Sequence, residues 1–241
     1  MAAMDRQAVL AALRARISRL ERPAIPDVRQ GAIAIAEAVD RHVTGGGLEL
    51  GAVHEVLAAD IGAGTGFAAL LAARASAASP DDVGTVLWIS EEPDLFPAGL
   101  VRFGLRPGSL VVARGTERDV LWAAEEALRS PAVAAVVLEA KRMDLTVSRR
   151  LQLAAEANAV LGLVLRRDET DTEPSSLRTR WRVWARPGNG YSAHDLGLPV
   201  WRLELLKARG TAPRSWELMW DEQAGALLEV SEELVLARAQ R

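Results

Sequence analysis

The chain reads as an α/β protein: a mostly parallel sheet flanked by helices, an antiparallel meander after it and a helix before it. Three observations predict this. Between about residues 53 and 167, short unbroken apolar runs alternate with stretches of helical period, the pattern of parallel strands buried on both faces. After the polar "DETDTEPSS", apolar and polar residues alternate one by one, as in half-buried antiparallel strands. Residues 5–21 space Val9, Leu10, Leu13, Ile17 and Leu20 at helical intervals until "RPAIPDV" breaks the pattern.

Taken in order, the N-terminal helix is followed by a segment at 31–43 that ends in "TGGG". A strand near 53–58 runs into a glycine cluster, "DIGAGTG", and then a helix at about 66–78. The strand "TVLWIS" (85–90) leads to a helix near 95–104 and the strand "SLVVARG". A helix at 118–130, the strand "VAAVVLEA" (133–140), a helix at 146–159 and the strand "LGLVLRR" (161–167) complete the alternation. The meander is "TRWRVWA" (179–185), "PVWRLELLKA" (199–208) and "RSWELMWDE" (214–222). Its buried face is expected to hold Trp181 and Val183, Trp201 with Leu203 and Leu205, and Trp216 with Leu218 and Trp220. The chain divides into an N-terminal helical segment (1–43), a core (44–222) and a polar C-terminal tail with a short helix (223–241).

Composition limits the functions available. The 241 residues suffice for one large domain, and an apolar fraction of 49% rules out wholesale disorder. No apolar run is long enough to span a membrane, and the N-terminus lacks the apolar core of a signal peptide, so a cytoplasmic protein is expected. Without cysteine there is no disulfide, thiol catalysis or cysteine metal site. The net charge of −3 argues against strong autonomous DNA binding, but residues 141–214 hold 14 Lys and Arg against 8 Asp and Glu.

The glycine cluster is the main candidate site. A phosphate loop requires G-x-x-x-x-G-K-[ST], whose lysine reaches the β/γ oxygens. The chain has two lysines, Lys141 and Lys207, and neither follows a glycine. As an ATPase motif the stretch fails. It fails G-x-G-x-x-G narrowly too, because Phe67 stands in the third glycine's place. It does resemble the loop of class I S-adenosylmethionine methyltransferases, in which Glu91 or Glu92 would hold the ribose. Close strand–helix packing by small residues is an equal explanation.

Longer motifs point elsewhere. From "GAVHEVLAADIGAGTG" through "VLWISEEPDLFPAGLVRFGL" to "VAAVVLEA", the chain resembles RecA-type recombinases. In that alignment Gly64 replaces the phosphate-loop lysine, Thr65 falls on the metal-binding hydroxyl and Glu92 on the catalytic glutamate. Lys207 and Arg209 of "ELLKARG" match a pair that reaches a neighbour's nucleotide site. "DLTVSRRLQLAAEANAVLGLVLRR", "TRWRVWARP", "WRLELLKARG" and "SWELMWDE", in that order, resemble the ImuA family of RecA-like translesion-synthesis accessory proteins, over roughly residues 45–225. The resemblance implies a RecA-like fold and damage-induced, error-prone synthesis together with ImuB and an error-prone C-family DNA polymerase. It also raises contacts with RecA and self-association, with DNA contact indirect or weak. Gly62, Gly64, Thr65 and Gly66 then form a degenerate nucleotide loop, with no cofactor expected, ATP with Mg²⁺ as the alternative, and Glu92 and Glu139 as vestigial catalytic positions. The alternatives are an active ATP- and single-strand-binding protein and a methyltransferase.

The remaining candidates are weighed on their residues. Glu92 fits a water-polarising base or a strand-end cap. Glu139 fits a Mg²⁺-holding acid or an exposed strand end. His42, His54 and His194 have no metal-ligand spacing, and no metal site is expected. Arg149 and Arg150, with Arg178, Arg180, Arg182 and Arg186, place charge on a helix and on one strand face. That face suits DNA phosphates, an acidic partner or solvent alone.

Overall fold

The computed structural model describes residues 31–77, 83–167, 174–188 and 197–230. The expected helix at 5–21, His194 and the end of the tail lie outside them. The strands are β1 (Ala32–Ile33), β2 (Leu48–Glu49), β3 (Ala52–Ala58), β4 (Thr85–Ser90), β5 (Leu110–Arg114), β6 (Val133–Glu139), β7 (Leu161–Arg166), β8 (Thr179–Arg186), β9 (Val200–Ala208), β10 (Arg214–Asp221) and β11 (Ala226–Glu229). The helices are α1 (Glu37–Asp40), α2 (Ile61–Ser76), α3 (Pro97–Leu100), α4 (Glu117–Leu128) and α5 (Leu145–Glu156).

Nine strands form one sheet in the order β11-β10-β9-β8-β3-β7-β6-β4-β5. β8, β3, β7, β6, β4 and β5 are parallel, and β9 to β11 continue from β8 as an antiparallel meander. The chain leaves β3 through α2, passes over β7 and β6, and enters β4. α2 covers one face, where it shares a core with Val56, Trp88, Val137 and Leu163. α4 and α5 cover the other, against Val53, Ile89, Val136, Leu138 and Val164. The eight predicted meander residues are all buried in the α2 core.

Sequence chemistry fixes the helix starts. Thr116 and Asp119 form a reciprocal capping box on α4, and Asp144 Oδ1 accepts from Val147 N at 2.7 Å on α5. α2 is different. It is buried nearly all round, because the sheet lies on one side and β1, α3 and the 3-10 turn Val101–Phe103 on the other. Its packing combines wholly buried Phe67, Leu70 and Leu71 with glycines at 64 and 66 where neighbours come closest. At its far end Arg74 donates to the carbonyls of Ala34 (2.6 Å) and Ile35 (2.7 Å), tying the 31–36 segment down. Burial pushes the pKa of that guanidinium down, and Asp40 opposes the shift.

Three expectations are corrected. The helix after the glycine cluster starts at Ile61 rather than about 66. Residues 31–43, read as part of a helical segment, supply a strand and a single helical turn, with Ile35 and Val39 wholly buried in the core. The tail beyond Glu222 does not simply trail away: Ala226–Glu229 adds a fourth antiparallel strand, since "ALLE" offers Leu227 to the core.

Candidate functional site

In an open α/β sheet the ligand-binding end is where the strands finish, beside a crossover that skips strands. Here that end gathers the glycine cluster, Glu91, Glu92, Glu139 and Lys141.

The glycines do not form a loop. Asp60 is the last residue before α2, and Gly62, Gly64 and Gly66 all lie within the first two helical turns. Gly64 N donates to Asp60 O at 3.0 Å, so that amide belongs to the helix. The Asp60 carboxylate accepts from Ala185 N of β8 at 2.8 Å and leaves the helix start uncapped by a side chain. Space explains two of the three glycines. A Cβ on Gly64 would stand 2.3 Å from the Ala58 Cβ, and one on Gly66 would meet the rings of Phe103 at 2.9 Å and Trp201 at 3.0 Å. Gly62 meets nothing within 4 Å. Thr65 sits one turn into the helix, where it is half-buried.

The acids lie across a cleft of about 310 Å³ lined by Ser90, Glu91, Glu92, Glu139, Lys141 and Arg167. Glu139 accepts from Trp88 Nε1 and Ser90 Oγ, each at 2.9 Å, and Arg167 stands 3.6 Å from the same carboxylate. Both oxygens therefore have donors, which fix the carboxylate at the end of β6. Among the described residues no group of His, Asp and Glu is arranged to hold a metal ion. Lys141 Nζ pairs with Glu91 at 2.7 Å, which raises the lysine pKa. Glu92 donates its backbone amide to Ser90 Oγ at 3.2 Å, and its charge helps raise the Lys141 pKa.

These parts do not fit ATP with Mg²⁺ in the manner of a phosphate loop: the Gly64 amide belongs to the helix and no lysine follows the glycines. In the methyl-donor arrangement Glu91 or Glu92 would hold the ribose. Glu91 and Glu92 follow β4, which lies three strand spacings from β3, about 14 Å.

Lys207 and Arg209 are at the opposite end of the sheet. Lys207 pairs in register with Arg180, and its ammonium donates to Ser175 O at 2.6 Å and Leu177 O at 3.3 Å. Burial, then the charge of Arg180, lowers its pKa, with Glu55 opposing. Within one chain the pair does not meet the glycine cluster. Arg180 turns inward: its guanidinium and that of Arg166 share the buried Glu55 carboxylate at 2.5 Å and 3.1 Å. Arg209 borders a cleft of about 320 Å³ with Thr44, Thr211 and His54. His54 is wholly buried, its Nδ1 2.8 Å from Thr179 Oγ1 and its Nε2 2.9 Å from Glu49 O. Burial lowers its pKa to about 4.

The remaining arginines divide. Arg150 pairs with Glu125 of α4, a carboxylate shared with Arg129, while Arg149 is exposed. Arg182 lies 3.7 Å from Glu204. Sequence reasoning missed the Glu55–Arg166 pair and the Trp88–Glu139 contact. A signal was present for each, a charge inside an apolar strand and a polar-tipped indole inside "TVLWIS".

The chain is 36% identical over 199 residues to Protein ImuA of Caulobacter vibrioides strain NA1000 / CB15N, a match covering 77% of this chain and 81% of that protein. Protein ImuA of Caulobacter vibrioides strain ATCC 19089 / CIP 103742 / CB 15 matches equally, with 36% identity over the same lengths. No protein-family profile matches the chain.

Proposed function

Because the chain belongs to the ImuA family, we propose that it is a RecA-like adaptor, not an enzyme, in SOS-induced, error-prone translesion DNA synthesis. In this reading it works in the cytoplasm with ImuB and an error-prone C-family DNA polymerase, and its sheet serves as a scaffold for protein contacts. Family membership supports a role in the ImuA/ImuB mutagenesis system. The observation that carries the non-catalytic part is the start of α2. A phosphate loop winds glycine backbone around the phosphates and follows it with a lysine, whereas here Gly64 and Gly66 lie inside a helix closely packed on Ala58, Phe103 and Trp201 and no lysine follows them. The RecA-like part is supported by a long strand leading into the glycine cluster, by an acid after the next strand, and by a parallel sheet that passes into a meander.

The test uses Glu92, whose side chain is exposed and on which the RecA comparison places catalysis. A chromosomal Glu92→Gln variant is expected to keep damage-induced mutagenesis at the parent level, while deletion of the gene abolishes it. Loss of mutagenesis in a normally accumulating Glu92→Gln protein, together with calorimetric ATP binding by the parent, would replace the adaptor with an ATP-driven switch.

A further inference from the structure

The meander has a second face that the adaptor reading leaves unused. Trp181 and Val183 of β8 and Leu203 and Leu205 of β9 point into the core. Strand alternation therefore turns Arg182, Trp184, Arg186 and Arg202 the other way. Register makes Trp184 and Arg202 direct cross-strand neighbours. The guanidinium carbons of Arg182 and Arg202 stand 5.6 Å and 5.5 Å from the Trp184 ring centroid, so one indole carries two cations. Trp184 is half-buried, and Arg186 and Arg202 are exposed. On that side of the sheet α4 packs over β4 and β6, and α5 over β3 and β7. Among the described residues, the outward face of β8 and β9 is left as a ledge beside α5.

Among the described residues, two carboxylates share the ledge. Glu204 lies 3.7 Å from Arg182 and Glu217 lies 3.4 Å from Arg186, in partly exposed pairs. Pairs of that kind hold weakly and are readily exchanged for another anion. Arginines around an aromatic ring on an open sheet face suit unpaired nucleotides, with guanidinium groups on phosphates and bases stacked on indole and guanidinium planes. A duplex hides its base faces from such a surface, and an acidic peptide would use the charges without the indole.

We propose that the outward face of β8 and β9, centred on Trp184 and flanked by Arg182, Arg186 and Arg202, binds single-stranded nucleic acid. The inference rests on the adaptor reading only for the source of the strand, the template exposed at a lesion.

The experiment is fluorescence anisotropy of labelled oligothymidylate against the full chain, from low to physiological salt. Binding is expected at low salt, weakening steeply as salt rises. Arg202→Ala should shallow the log–log salt dependence by about 0.7, the share of one single-strand phosphate contact. Trp184→Ala should weaken binding about tenfold, with Trp184→Phe retaining most of it. Arg118→Ala, on the exposed surface of α4, should bind as the parent does. Thermal melting monitors folding. If Trp184→Ala fails to fold, Arg202→Ala and Trp184→Phe decide the matter. No binding at low salt, indifference to both Arg202 and Trp184, or equal competition by polyglutamate overturns the proposal, the last assigning the ledge to an acidic protein. Mutagenesis separates the two readings: oligothymidylate binding with no phenotype on gene deletion sinks the adaptor alone, and a deletion phenotype with no binding sinks the ledge alone.

Discussion

Adding one methyl group at Gly64 and one at Gly62 should move stability in opposite directions. In an isolated helix, Gly→Ala stabilises by up to about 1 kcal/mol, because glycine gives up more backbone freedom on folding. At Gly62 the new Cβ meets nothing within 4 Å, so the intrinsic gain should survive, reduced by the frayed first turn; we expect about 0.5 kcal/mol. At Gly64 the Cβ would lie 2.3 Å from the Ala58 Cβ and 3.2 Å from both Ala58 Cα and Leu165 Cδ1. Separating those two carbons to van der Waals contact requires α2 to lift off β3 by more than 1 Å (~3.5–4.0 Å being ordinary contact). Overpacking of this severity costs about 1–3 kcal/mol, which outweighs the helix gain. Urea denaturation reads both variants as midpoint shifts at constant slope. Ala58→Gly in the Gly64→Ala background should recover part of the loss, a coupling of at least about 0.5 kcal/mol in a double-mutant cycle. A Gly64→Ala protein as stable as the parent, or a destabilised Gly62→Ala protein, would refute the packing account and return these glycines to ligand binding.

Two further stability predictions come from the buried titratable groups. His54 has a folded pKa of about 4 against an ordinary 6.5, so between those values the unfolded chain binds the extra proton. Its contribution is fully present above pH 6.5 and is lost as pH falls toward 4, amounting to about 3 kcal/mol. Urea titrations at pH 7 and pH 4.5 should show a smaller pH dependence for His54→Gln than for the parent, and identical dependence in the two proteins counts against the burial argument. Glu55→Ala leaves Arg166 and Arg180 without their shared buried carboxylate and should cost about 3–5 kcal/mol. A loss under about 1 kcal/mol by chemical denaturation would mean that the guanidinium groups reach solvent.

Period and punctuation carried most of the architecture. Alternation exposed the meander and its eight inward residues, because a half-buried strand cannot hide its period. Near-continuous apolar runs marked β4, β6 and β7, because both of their faces are covered. The start of α2 was not legible for the opposite reason. Glycine has weak helix propensity, so "GAGTG" reads as a loop unless the tertiary fit is known. That fit is set by Ala58, Phe103 and Trp201, which come from three other elements. The candidate site was legible as a set of residue types and not as contacts. Nothing local in "SRRLQ" shows that Arg150 meets Glu125, or in "TRWRVWA" that Arg180 turns inward to Glu55 while Arg182 and Trp184 face out. Strand order is equally absent from local pattern. Two strands between β3 and β4 separate Glu92 from the glycines.

Where the helix at the centre of the molecule meets its neighbours through glycine and alanine, it has an asymmetric tolerance to change. At Gly64 and Gly66 every possible substitution enlarges the residue, and around the rest of α2 an alanine can shrink only to glycine. Point mutation therefore has almost no neutral direction at these packed positions, whereas the exposed Gly62 is free to change. A glycine-rich signature can thus outlast the ligand its spacing once suited, held by steric exclusion alone. Purifying selection on such a stretch, read without the fold, is easily mistaken for selection on catalysis.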